Sequence, residues 1–166
     1  IYKSLLRAIK NAQNYLYIST PYFVPSIRIF RALNKAARRG VDVRLLLPEK
    51  SDVYVADIAA GSYFALALRA GIKIYLYNPK IILHSKTAVC DNNWGSVGSA
   101  NLDNLSMLLN HEGNVISRNP EFIKELKSQF LIDLKNSKSL TRAEWKKRSI
   151  LRKVLEFITW PLHQVL

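Results

Sequence analysis

Three short apolar runs, Tyr15–Thr20 (YLYIST), Val41–Leu47 (VDVRLLL) and Ile72–Tyr77 (IKIYLY), are separated by stretches long enough for a helix. Runs of this length, rich in Val, Ile, Leu and Tyr, read as strands. The punctuation between them is helical. Ser26 is placed to cap a helix that runs to Arg39 and stops at Gly40, and Asp52 to cap an apolar helix ending near Ala70-Gly71. A leading helix carries Leu5, Leu6 and Ile9 among Lys3, Arg7 and Lys10. Such alternation implies an α/β fold, with a mostly parallel or mixed central sheet flanked by helices on both faces.

The later chain changes character. Ile81–Cys90 and Trp94–Val97 flank Asp91-Asn92-Asn93 and predict a hairpin, and Gly113–Ser117 predicts one more strand. Asn119 and Pro120 open a helix through about Asn136. Thr141 and Glu144 form a capping box. Beyond it Lys146, Lys147, Arg148, Arg152 and Lys153 interleave with Trp145, Ile150, Leu151, Val154, Leu155, Phe157, Ile158 and Trp160, until Pro161 breaks the pattern. A basic amphipathic helix with tryptophans suits a membrane interface, where indoles sit at headgroup level and lysines meet anionic lipid. The other reading packs its apolar side on the domain. The expected division is a folded domain over 1–138 and a basic, Trp-containing amphipathic tail over 139–166.

The formal net charge is +13, unevenly spread: residues 1–50 carry ten basic and two acidic side chains, 118–166 eleven and five, and 51–117 four and five. A basic exterior around a near-neutral centre calls for polyanionic partners, nucleic acid or anionic lipid. With 49% hydrophobic residues the chain is not disordered, and no run of about eighteen apolar residues is present to span a bilayer. It begins at Ile1 and opens directly into a helix, with no visible signal peptide, and is read as a piece of something longer. The single cysteine, Cys90, ends an apolar run and is expected to be a buried structural thiol. No carboxylate cluster or His/Cys pair has ligand spacing, so no metal and no cofactor is expected.

The near-neutral centre holds His84-Ser85-Lys86, then Asp91, then Gly98-Ser99-Ala100-Asn101. Side chains two apart on an extended strand point the same way, so His84 and Lys86 are expected on one face beside Ile82 and Ala88. An imidazole there can attack a phosphodiester and form a phosphohistidine, while Lys86 neutralises a nonbridging oxygen. Ser99 and Asn101 share a face if extended and can donate further hydrogen bonds, and Gly98 allows close backbone approach. Asp91 stands at an odd spacing, pointing away or into the turn. Glu112 is the better carboxylate to hold the imidazole in its nucleophilic tautomer. His111 and His163 are expected to do no chemistry.

The spacing H-x-K-x4-D-x6-G-S-x-N resembles the half-site of the phospholipase D superfamily. Within it, the wider context resembles the C-terminal half of a bacterial cardiolipin synthase. The stretches that carry this are Ser19–Pro25 (STPYFVP), Leu45–Pro48 with Ser51-Asp52, His84–Asp103, and Leu140-Thr141 with Trp145–Arg148. The resemblance implies His84, Lys86 and Asp91 as catalytic, Lys86, Ser99 and Asn101 as phosphate-binding, and Glu112 as the acid. It also implies a second half-site, in a longer chain or a homodimer mate. The reaction implied is transfer of a phosphatidyl group from phosphatidylglycerol to a second phosphatidylglycerol at the cytoplasmic face of a bacterial inner membrane. The alternative implied is a homodimeric phosphodiesterase or nuclease, or a phospholipase D hydrolase using water. His111 departs from the family, which often has an acid there.

Overall fold

A computed structural model describes residues 1–77 and 83–159. Helix α1 (Tyr2–Asn11) leads into β1 (Tyr15–Ser19), the two-residue strand β2 (Phe23–Val24) and α2 (Ile27–Arg38). Strand β3 (Asp42–Pro48), α3 (Tyr54–Ala70) and β4 (Lys73–Tyr77) complete an alternating half. Then come β5 (Thr87–Cys90), β6 (Trp94–Gly98), β7 (Leu102–Asp103), a π-helical turn over Leu105–Leu109, and β8 (Asn114–Ser117). Helix α4 (Pro120–Lys135), β9 (Ser137–Leu140), α5 (Arg142–Lys146) and α6 (Ile150–Thr159) close the described chain.

Seven strands form one mixed sheet in the order β8-β6-β5-β1-β3-β4-β9. The parallel part is confined to β1, β3 and β4, the strands joined by helical crossovers. The hairpin pairs β5 antiparallel to β1, and β6, β8 and β9 also join antiparallel. This arrangement places the C-terminal ends of β1, β3 and β4 and the start of β5 on a single rim. A small parallel pair, β2 with β7, sits beside that rim.

Helices cover both faces. Leu16, Ile18, Leu45 and Ile74 point to the layer of α1, α2 and α3, where Ile9, Leu33 and Phe64 meet them. Tyr15, Tyr17, Leu46 and Val89 point the other way, onto Ile123 and Phe130 of α4, and Tyr17 stacks on Phe130 at 4.9 Å. Leu16, Leu45 and Ile74 are wholly buried, each contributing about 1.5–3 kcal/mol by removal from water.

Most of the expected caps form. Ser26 Oγ accepts from Ile29 N at 3.3 Å, Asn119 Oδ1 accepts from Glu121 N at 2.8 Å, and Thr141 and Glu144 exchange reciprocal bonds. Gly40 and Gly71 take φ of +95° and +94°, left-handed values that close the α2 and α3 ends. Asp52 does not cap α3. The capping position is Val53, Ser51 Oγ accepts from its N at 3.1 Å, and Asp52 turns towards the rim.

The strand expected from 81 to 90 is described only as Thr87–Cys90. Ile81 and Ile82 lie outside the described residues, and Leu83–Lys86 form no ladder. Past Ser19 the chain of β1 bonds towards β3, Thr20 N donating to Leu46 O at 3.1 Å, and does not pair with them. The expected boundary between 138 and 139 falls inside β9, which pairs with β4 in the main sheet. Trp145 is buried, its ring 4.9 Å from Phe64, because the capping box turns α5 inward. It is therefore not an interfacial tryptophan. Trp160, Pro161 and His163 lie outside the described residues.

Candidate active site

His84 sits on the extended lead into β5, flanked by the buried anchor Leu83 on one side and the ladder on the other. Its imidazole is exposed. Lys86 folds back so that Nζ donates to His84 O at 2.8 Å, and Lys86 O accepts Gly98 N at 3.2 Å. The two side chains thus share one short segment, held by one backbone bond to β6 and not by the regular strand expected. Burial pushes the Lys86 ammonium below its ordinary pKa, while the carboxylates of Glu112, Asp52 and Asp103 act in the opposite direction.

The segment after β6 is bolted to the segment before β8. Ser99 N donates to Gly113 O at 3.0 Å, Gly113 N donates to Ser99 Oγ at 3.1 Å, and Ser99 Oγ donates to the Glu112 carboxylate. A Cβ on Gly98 would stand 2.2 Å from Gly113 O and 2.6 Å from Asn114 Cα, so only glycine allows this approach. Asn101 Nδ2 donates to Ser106 Oγ at 3.2 Å. Ser99 and Asn101 therefore sit on the His84 rim, each already tied to a neighbour. Glu112 is engaged by Ser99 and lies within electrostatic reach of Lys86.

Asp91 is not brought to this rim. It lies in the hairpin turn at the far end of β5, with φ +47°, and accepts from Gln13 N, Asn14 N and Tyr15 N at 2.6, 2.8 and 2.8 Å. Burial alone would raise its pKa, but these three N–H groups favour the carboxylate and hold it below the ordinary value. It fixes the start of β1 against the hairpin. Cys90 beside it is buried, its thiol pushed up to about 12 chiefly by burial, which makes it inert. His111 is exposed, between the π-helical turn and Glu112.

Three rim residues were not among the expected site residues. Asp52 accepts from Tyr22 OH at 2.8 Å, and buried Asp103 accepts from Ser106 N at 2.6 Å. Burial raises the Asp103 pKa, Ser106 opposes, and Glu112 adds to the rise. The available signal was positional, since residues just beyond the C-terminal ends of parallel strands build the sites of α/β folds, and Asp52 follows β3. Thr20 joins the same rim, its Oγ1 donating to Tyr22 O and accepting from Leu102 N. Among the described residues no three His, Cys, Asp or Glu side chains are grouped to hold a metal ion. The rim thus offers an exposed imidazole, one ammonium, and hydroxyl and amide donors.

The family model described as cardiolipin synthase, phospholipase D-like domain, matches residues 5–134. The chain belongs to that family. It is 43% identical over 152 residues to a cardiolipin synthase of Clostridium perfringens, covering 92% of this chain and 32% of that one. It is 39% identical over 148 residues to a probable cardiolipin synthase of Bacillus subtilis, covering 89% and 29%. The chain therefore spans about a third of the length of these relatives. Among solved structures it is similar to Nuc, a phospholipase D family member from Salmonella typhimurium, with TM-score 0.71, 25% identity, and 84% of this chain and 90% of that one covered. The fold also matches phosphatidylserine synthase from Haemophilus influenzae, with TM-score 0.69 and 13% identity over 97% of this chain and 42% of that one. The phospholipase D-like half-domain expected from the sequence is thus the fold observed, and its rim is where His84, Lys86, Ser99, Asn101 and Glu112 converge.

Proposed function

We propose that this chain supplies one half-site of a phosphatidyltransferase that joins two phosphatidylglycerol molecules into cardiolipin. The observation that carries the reading is the gathering of His84, Lys86, Ser99 and Glu112 on one rim in a chain whose relatives are named cardiolipin synthases. The His84 imidazole attacks phosphorus, an N–P bond forms, and the P–O bond to glycerol breaks. Glycerol leaves with a proton from the matching histidine of a second half-site, in the same full-length chain or in a homodimer mate. The hydroxyl of a second phosphatidylglycerol then attacks, returns a proton to that histidine, and breaks the N–P bond.

Lys86 neutralises the charge growing on the nonbridging oxygens, with Ser99 and Asn101 as further donors, in an arrangement worth most where water is excluded. Glu112 orients the imidazole and sustains the charge on Lys86. Asp91 acts only by holding the hairpin. No described helix is long and apolar enough to cross a membrane. The reading places this half-site peripherally at the cytoplasmic face of a bacterial membrane, where its substrate lies.

The test uses the full-length protein with phosphatidylglycerol vesicles. Cardiolipin and glycerol are expected in equal amounts, and acid-labile, base-stable phosphatidyl label is expected on His84. His84→Ala should abolish both products. Label on another residue, or turnover by His84→Ala, would overturn the mechanism, and phosphatidic acid without cardiolipin would assign water as the acceptor. A second reading, a homodimeric phosphodiesterase or nuclease, is favoured by the match to Nuc, a chain of similar extent. DNA cleavage by the unaltered protein, lost in His84→Ala, would decide for it.

A further inference from the structure

Helix α6 is amphipathic with its faces reversed. Glu156 and Arg152 point into the protein, while Lys153 stays exposed. Glu156 is 4% exposed and its carboxylate accepts Arg148 Nε and Nη2 at 3.0 and 2.8 Å, while Ser62 Oγ donates to Glu156 O at 3.0 Å. Arg152 Nη2 donates to Asp57 of α3 at 2.9 Å, and both arginines lie over the Trp145 ring. Gly61 of α3 makes room for this underside, since a Cβ there would meet Glu156 Oε1 at 2.7 Å. The apolar residues face outward: Ile150, Leu151, Val154, Phe157 and Ile158 are all exposed, Phe157 by 82%.

The Arg152–Asp57 pair places this face beside the start of α3, where Val53, Tyr54 and Val55 are exposed as well. Those three follow Asp52 directly, and the Asp52 charge reaches Lys86. An apolar surface therefore adjoins the phosphate-handling rim. Cations flank it: Lys146, Lys147 and Lys153 are exposed on α5, its C-terminal end and α6. Apolar side chains rimmed by cations match acyl chains beneath anionic headgroups. A second copy of a chain with net charge +13 would instead meet like charge.

We infer that the outward face of α6, continued by Val53–Val55, is a docking surface for an anionic bilayer, held outward by the Arg148–Glu156 pair, whose carboxylate is buried, and by the half-exposed Arg152–Asp57 pair. It rests on the lipid reading above and names the surface that brings the rim to its substrate. A helix lying in the interface buries its apolar face at the headgroup boundary, so the rim sits at phosphate depth.

The chain carrying Phe157→Cys is labelled there with an environment-sensitive dye, which buried Cys90 does not take up. With phosphatidylglycerol vesicles the emission should shift to the blue, and with phosphatidylcholine vesicles it should not. The same dye at Lys124→Cys, on α4 across the sheet, should stay in water in both. Leu151→Ser with Phe157→Ser should cut co-flotation with phosphatidylglycerol vesicles at least tenfold. Should that double variant fail to fold, the dye at position 157 still decides. An unshifted dye at 157, a shift at 124 instead, or a folded double variant with unchanged flotation would each overturn the surface. So would a lipid-free dimer that the double substitution dissociates, which would assign the face to a protein partner. Intact docking without cardiolipin production would count against the reaction and not the surface. Failure of the unaltered protein to bind phosphatidylglycerol vesicles, while it still converts monomeric short-chain phosphatidylglycerol, would count against the surface alone.

Discussion

Ser99 Oγ donates to the Glu112 carboxylate across the junction of β6 and β8, and Gly113 N donates back to the same Ser99 oxygen. One hydroxyl thus fixes the acid nearest in character to a histidine partner while standing on the rim where phosphate is expected. Glu112 also opposes the effect of burial on Lys86. Glu112→Gln removes a negative charge, so the Lys86 ammonium should release its proton at lower pH. The expected outcome is a fall in turnover of about 10–100-fold, with the alkaline limb of the pH–activity profile displaced to lower pH. Ser99→Ala, which leaves the carboxylate charged, should lower turnover without displacing that limb. A profile displaced equally by both substitutions would remove Glu112 from its electrostatic role.

Gly98 tests the same junction from the backbone. Its missing Cβ is what lets Gly113 O and Asn114 approach, and neither backbone can yield without breaking the β6–β8 ladder. Gly98→Ala should cost about 1–3 kcal/mol of stability, the range for overpacking, and should abolish turnover, because Ser99 and Glu112 lose their register. Thermal unfolding and activity of the same preparation check both. A stable and active Gly98→Ala protein would show that the junction flexes.

Asp91 should be visible in acid and silent in catalysis. Its folded pKa lies below the ordinary value of 3.8, so its contribution to stability is complete above that value and is lost as pH falls through the folded pKa. Asp91→Asn keeps one oxygen for Asn14 N and Tyr15 N but sets an N–H against Gln13 N. It should cost about 1.5–3 kcal/mol near neutral pH, the scale of hydrogen bonds to a charged group, and flatten the acid limb of the stability curve. Turnover per folded molecule should be unchanged. Loss of turnover without loss of stability would return Asp91 to the catalytic set.

Local chemistry made much of this legible in the sequence. Strands β1, β3 and β4, the caps at Ser26 and Asn119, and the Thr141–Glu144 box follow from periodicity and side-chain reach, which act within a few residues. His84 and Lys86 stand on one short segment, tied to Gly98 of the same motif. What escaped depends on contacts between distant segments. Asp52 has the composition of a helix cap, but Tyr22, thirty residues earlier, takes its carboxylate. Leu83–Lys86 has the pattern of a strand, but β1 turns away towards β3 and its pairing with β5 ends at Thr87. In α6 the alternation was plain, but which face turns inward was set by Asp57, Gly61 and Ser62 on another helix.

The same α3–α6 contact supplies the last prediction. Glu156 is almost wholly buried between Arg148 and Arg152, with Arg152 Nε 3.5 Å from its second oxygen. Glu156→Gln leaves two guanidinium groups against a buried neutral amide, and stranding buried charges in this way costs about 3–5 kcal/mol. The cost falls on the α3–α6 contact, because Asp57 alone retains a hold on Arg152. Helix α6 should therefore open locally while the sheet stays intact. Backbone amides of Ile150–Thr159 should exchange faster by about two to three and a half decades, by the conversion of about 1.4 kcal/mol per decade, while those of β1 and β3 keep their protection. Uniform acceleration across the sheet would mean that α6 is part of one cooperative core and not a separately held element.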